Sequence, residues 1–138
     1  MALYTARAEA SAGRNGQARS DDGKLDLQLN YPKALGGSGE GTNPEQLFAA
    51  GYAACFSNAV LFVAKEMRVK LDSAPVAAEV SLLSQEVGFA LGVALTVTLA
   101  LPQAEAEALV AKAHQVCPYS NALRGNVDVV ITVKGVEQ

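Results

Sequence analysis

The chain has 138 residues, half of them hydrophobic, and carries 11 Lys and Arg against 14 Asp and Glu for a formal charge of −3. That is enough apolar material for one domain to bury its own core, and the absence of any Lys/Arg block excludes the electrostatic footprint of a nucleic-acid binder. The opening MALYTARAEA holds charges and no apolar h-region, so it does not read as a signal peptide. The expected setting is the cytoplasm, where two cysteines, here Cys55 and Cys117, are more often free or catalytic thiols than a structural staple.

Taken in chain order, ALYTARAEA and QARSD read as two strands around Gly13-Arg14-Asn15-Gly16, since Asn-Gly between extended segments is a strong hairpin signal. Leu25, Leu27, Leu29 and Tyr31 then alternate with polar residues as a strand with one wet face. The segment PKALGGSGEGTN reads as a mobile glycine loop without the Gly-Lys-Ser/Thr ending of a phosphate cradle. It leads into a helix start where Asn43 can cap, Pro44 suits the first position and Gln46 completes a capping box. The helix should run to about Met67. Within it, Gln46 to Ala64 is nineteen residues without a charge, long enough to raise the question of a membrane span. Ser57 and Asn58 near its middle, its alanine and glycine content, and the alternating segments on both sides favour a helix buried in a core or a dimer.

After Pro75, alternation at Val76 to Leu82 and again at Val93 to Leu101 predicts two strands joined in a hairpin around Gly88 to Gly92. A helical stripe follows through Ala106, Leu109, Val110, Ala113 and Val116, ending at Cys117 because a residue before proline is pushed out of the α region. A short segment, Tyr119 to Leu123, and a last strand over Val127 to Val133 complete the chain. The reading is a single α+β domain over residues 1–138.

Read as residues alone, the thiols leave alternatives open. Cys55 shares a helical stripe with Phe48, Gly51, Tyr52, Ala59 and Phe62, the placement of a small buried hydrophobe. If it is reactive, its own helix cannot activate it from mid-length, so a cation must come from elsewhere. Cys117 is either a core thiol closing a helix or, with Pro118 at a first helical position, a sulfur placed where free backbone N–H groups point. His114, the single histidine, lies one turn before Cys117, which raises a metal set with Cys55 and Glu45, or a Cys–His dyad. Neither a C-x-x-C nor an H-x-x-x-H unit exists to support them, and a histidine near a helix end is commonly a cap or surface residue.

TNPEQLFAAGYAACF (Thr42 to Phe56) and HQVCPYSNALRGN (His114 to Asn126) resemble the two signature stretches of the Ohr/OsmC family, in particular its organic hydroperoxide resistance branch, and the resemblance covers essentially the whole chain. It implies an OsmC-like fold, with antiparallel sheets packed around long central helices in an intertwined homodimer. It implies further that Cys55 attacks the O–O bond of an organic hydroperoxide and becomes a sulfenic acid, and that Cys117 condenses with it to an intramolecular disulfide. Dithiols such as lipoylated proteins reduce that disulfide in the family, with neither metal nor flavin nor any other cofactor. The family's arginine and glutamate fall on Arg14 and Glu45, which by themselves read as a turn charge and a helix-start acid. Glu45 and Cys55 are about 15 Å apart along one helix, so a partner subunit is the simplest source of the acid, with a bent helix as the competing explanation. Phe48, Tyr52, Phe56 and Phe62 are the expected lining of the substrate pocket. Leu123 departs from the polar residue expected of many relatives. The same resemblance leaves room for a broader, OsmC-type peroxide preference, or for a redox-sensing dimer without turnover.

Overall fold

A computed structural model describes residues 1–136, which form two compact units, Met1–Leu47 and Phe48 onward. The class is α+β, with one three-stranded sheet in each unit.

In the first unit, β1 (Ala8–Ala10), β2 (Gln17–Ser20) and β3 (Asp26–Gln28) pair antiparallel in that order. The first strand is shorter than its sequence suggested, because all three of its residues are exposed and no burial extends the pairing. The β1–β2 link is also not a two-residue Asn-Gly turn. Ala12 and Gly13 enter the left-handed region at φ 39° and 56°, and a 3-10 turn over Gly13–Asn15 follows. The Ser11 N–H closes the connection on the Gln17 carbonyl at 3.0 Å. Gly16 is required here, since a Cβ on it would stand 1.9 Å from the Ser11 carbonyl oxygen.

The glycine-rich stretch, read as a mobile loop, is a folded turn. A 3-10 turn over Lys33–Leu35 opens it, the Gly39 N–H bonds to the Tyr31 carbonyl at 3.0 Å, and the Thr42 N–H bonds to the Gln28 carbonyl at 3.0 Å. Those bonds satisfy backbone groups that a free loop would leave to water. The long helix α1 (Pro44–Glu66) then begins where expected, with the Gln46 N–H donating to Asn43 Oδ1 at 2.9 Å. The capping box is only half formed, because the Gln46 side chain accepts from the Thr42 hydroxyl at 2.7 Å.

In the second unit, β4 (Val76–Ser84) and β5 (Phe89–Pro102) form the expected antiparallel hairpin, its turn lying at Gln85–Gly88 rather than further on. The chain then passes through α2 (Gln103–Val116) and α3 (Pro118–Leu123) before β6 (Val129–Val136). The two helices carry the chain back past the length of β5, so β6 pairs parallel to it, and this sheet is mixed where the expectation was of antiparallel sheets. Strand alternation sends Val93, Leu95, Val97, Leu99 and Leu101 to one face, where they pack with Tyr52, Phe56, Val60 and Val63 of α1 and with Ala106, Leu109, Val110 and Ala113 of α2. By length and composition α1 meets the requirement of a membrane span, but a third of its most apolar stretch is already buried in this core. The expectation of a buried helix therefore holds for one face, while Phe62 on the other is half exposed.

Candidate active site

Cys55 comes from the middle of α1 and Cys117 from the joint between α2 and α3. Pro118 dictates the joint: its ring keeps Cys117 out of the helical region, at φ −66° and ψ 122°, and its fixed φ starts α3 at the first position. The Cys117 N–H still closes α2 on the Ala113 carbonyl at 2.9 Å. The bend turns the Cys117 sulfur toward α1, where Cys117 Sγ lies 3.8 Å from Cys55 Sγ. Both thiols are free. Cys117 has no exposed surface, while Cys55 is partly exposed and opens on a cavity of about 240 Å3 that it lines with Asn58, Ala59, Phe62, Val116 and Pro118.

Burial pushes the Cys55 thiol pKa up, and the Tyr119 backbone N–H opposes that rise, while Cys117 adds to it through its side-chain hydrogen bond and charge. The amide at the start of α3 thus serves Cys55, although the sequence suggested Cys117 as the sulfur so placed. Tyr119 also packs its ring 5.5 Å from that of Tyr52 and 6.0 Å from that of Phe48, centroid to centroid. Gly51 makes this possible, because a Cβ there would lie 2.5 Å from the Tyr119 hydroxyl.

Of the four aromatic residues expected around the thiol, Phe62 lines the cavity. Tyr52 and Phe56 are fully buried core residues, and Phe48 is partly buried with its ring edge-on to Tyr52 and Tyr119. Within this chain the remaining lining comes from Asn58, Ala59, Val116 and Pro118, which the helical stripe through Cys55 and its aromatic residues did not single out as pocket residues. Leu123 packs against the core.

In the first unit, Arg14 and Glu45 form a bidentate pair, with Nη1 donating to Oε1 at 2.6 Å and Nη2 to Oε2 at 3.0 Å. Glu45's hydrogen bond raises the Arg14 pKa, and Arg14's lowers that of Glu45. Each had the sequence signature of a solvated surface charge, yet their side chains are 23% and 17% exposed.

His114 faces a serine. Ser120, fully buried on α3, has its Oγ 2.8 Å from His114 Nδ1 and 2.6 Å from the Tyr52 hydroxyl. Arg124 donates to the His114 carbonyl at 2.6 Å. Burial first, and the Arg124 charge second, lower the His114 pKa and favour its neutral form. Among the described residues no three His, Cys, Asp or Glu side chains gather as a metal set.

A redox-capable thiol pair held at a helix joint on an α+β scaffold is the class of site these elements define. The model of the OsmC-like protein family matches residues 37–132. The organic hydroperoxide resistance protein of Xanthomonas axonopodis pv. citri is 50% identical over 135 residues, covering 95% of this chain and 94% of its own length. OhrB of Bacillus subtilis is 50% identical over 137 residues, covering 97% and 100%. Among solved structures, a putative organic hydroperoxide resistance protein of Vibrio cholerae, with captopril bound in one of its active sites, superposes with a TM-score of 0.95 at 55% identity, covering 100% of this chain and 96% of that one. The organic hydroperoxide resistance protein OsmC of Legionella pneumophila gives 0.93 at 57% identity, covering 97% and 99%. The chain belongs to the OsmC/Ohr family.

Proposed function

We propose that this protein detoxifies organic hydroperoxides as a thiol-dependent peroxidase, with residues 1–138 acting as one domain. The observation that carries the reading is the pair of free thiols 3.8 Å apart, one open to a cavity and the other sealed. That asymmetry supports the division of roles. Cys55, the accessible sulfur, attacks the distal peroxide oxygen as thiolate; the O–O bond breaks, the alkoxide takes a proton and leaves as an alcohol, and Cys55 becomes a sulfenic acid. Cys117 then attacks that sulfur, the S–O bond breaks, and its proton and the departing hydroxide leave as water. The resulting disulfide is reduced by a dithiol, a lipoylated protein being the reductant of choice, and no cofactor takes part.

The cavity beside Cys55 is walled chiefly by carbon, through Phe62, Ala59, Val116 and Pro118, which favours an organic tail at about 0.8 kcal/mol per methylene covered. Burial alone would leave Cys55 poorly ionised, so a cation is needed. Arg14, held by Glu45, is that cation, and in a homodimer at least Glu45 acts on the partner subunit's thiol. The protein works in the cytoplasm. One equivalent of cumene hydroperoxide added to reduced protein should yield one Cys55–Cys117 disulfide per chain by peptide mass mapping, and excess peroxide with dihydrolipoamide should give many turnovers. A protein that stops after one equivalent with a competent reductant present is a sensor rather than an enzyme.

A further inference from the structure

The proposed chemistry uses Cys55, Cys117, Arg14 and Glu45, and leaves unexplained a polar chain buried behind the thiols. Its centre is Ser120, which has no exposed surface and whose single hydroxyl joins Tyr52 at 2.6 Å and His114 at 2.8 Å. A serine hydroxyl has one proton and two lone pairs, so Ser120 can donate to one neighbour while accepting from the other. The three residues lie on the three helices that build the site: Tyr52 on α1 one turn before Cys55, His114 on α2 one turn before Cys117, and Ser120 on α3 just beyond it. Both sides of the Cys117–Pro118 joint are therefore fastened to one oxygen, and that oxygen is fastened to the helix carrying Cys55.

Joining the sulfurs requires their separation to fall from 3.8 Å to about 2.05 Å, with a restricted dihedral between them. The approach of Cys117 is set by the angle of the joint, and the Ser120 hydroxyl is a buried side-chain hydrogen-bond tie that relates this angle to α1. We propose that Ser120 is a positioning residue for the resolving step: through His114 and Tyr52 it holds the α2–α3 joint so that Cys117 meets the oxidised Cys55. The first step makes a smaller demand, since the peroxide reaches Cys55 from the cavity side. This inference rests on the peroxidase reading above.

The test is stopped-flow measurement of sulfenate formation and of disulfide formation with cumene hydroperoxide, in wild type, Ser120→Ala, His114→Ala and the double variant, each checked for folding by its thermal transition. A misplacement of about 1 Å can cost as much as about a hundredfold in rate. Ser120→Ala should leave sulfenate formation within about threefold and slow disulfide formation by about tenfold or more, with the sulfenate trapped by dimedone. His114→Ala should slow the same step, and the double variant should be no slower than Ser120→Ala, because His114 acts through the Ser120 hydroxyl that Ser120→Ala already removes. If Ser120→Ala does not fold, selective slowing in His114→Ala decides. Unchanged resolution in a folded Ser120→Ala, equal slowing of both steps, or additive effects in the double variant would overturn the proposal. If the wild type forms no sulfenate at Cys55 or no Cys55–Cys117 disulfide, it is the peroxidase reading that falls, and this inference with it.

Discussion

Gly51 and Tyr119 occupy one space: the absent Cβ of the glycine on α1 leaves room for the tyrosine hydroxyl of α3, which would otherwise lie 2.5 Å from it. Alanine in mid-helix normally gains about 1 kcal/mol over glycine, but overpacking costs about 1–3 kcal/mol. Gly51→Ala should therefore destabilise the protein in denaturant titration. In a Tyr119→Phe background, where the hydroxyl is gone, that cost should shrink or reverse. An identical cost in both backgrounds would show that the hydroxyl is not what the glycine accommodates.

The thiols should divide their labour. Cys55→Ser is expected to abolish peroxide consumption, whereas Cys117→Ser completes one fast turnover and then stalls as a sulfenic acid that drifts to sulfinic acid. Rapid-mixing kinetics and intact-mass analysis read both outcomes. Equal first-turnover rates in the two single variants would remove Cys55 as nucleophile.

Arg14→Ala should slow oxidation of Cys55 most near neutral pH, with partial recovery as pH rises, because an opposite charge within ~4–6 Å lowers a thiol pKa by about 1–3 units. Mixing Cys55→Ser with Glu45→Ala and measuring peroxide consumption tests the cross-subunit assignment. If Glu45 acts across a dimer interface, one site of each heterodimer carries both lesions and the other is intact, so activity returns. No return once subunit exchange is verified excludes that arrangement. The Glu45 carboxyl, lowered by Arg14, contributes stability that is complete above the ordinary glutamate range near about 4.3 and is lost as pH falls through its lowered value. A Glu45→Gln variant should accordingly show less loss of thermal stability on acidification.

His114 should prove dispensable to metal binding and proton transfer. Purified protein is expected to hold no stoichiometric zinc, and His114→Ala should retain steady-state activity well within about a hundredfold of wild type. Its own titration has a sign. The folded pKa lies below the unfolded value of about 6.5, so the folded state binds fewer protons, and stability complete above that value declines as pH drops below it. Melting temperatures between neutral pH and about pH 5 should fall less steeply in His114→Ala than in wild type. Parallel slopes would show that His114 does not titrate between the two states as described.

What the sequence displayed followed from local rules. The alternation through Val93 to Leu101 and the Asn43-Pro44 start announce their strand and helix because burial and capping act on neighbouring residues. Proline after Cys117 likewise announces the joint. Strand direction is invisible to a period of two, so the parallel pairing of β6 with β5 was not legible. The site was legible as candidates only: nothing local says that sulfurs 62 residues apart meet, and it was the resemblance of the flanking motifs that joined them. Ser120 was missed because it lies in a stretch read only as a short segment, Tyr119 to Leu123, with no period to mark an inward face, and only the packing of three helices makes its hydroxyl internal. Arg14 and Glu45 were picked out by resemblance, while their bidentate geometry depends on the turn that Gly16 permits.

The distance in sequence between the two cysteines has a thermodynamic side. A bond between Cys55 and Cys117 closes a loop of 62 residues in the unfolded chain as well as in the folded one. Removing that much freedom from the denatured ensemble favours the native state by roughly 4 kcal/mol in the chain-entropy account, between the values for loops of about 15 and 100 residues. A disulfide-bonded form would then be the heat-resistant one, and the dithiol form the softer. Oxidant would leave a thermal record of its arrival, readable as a rise in melting temperature without any probe of sulfur chemistry.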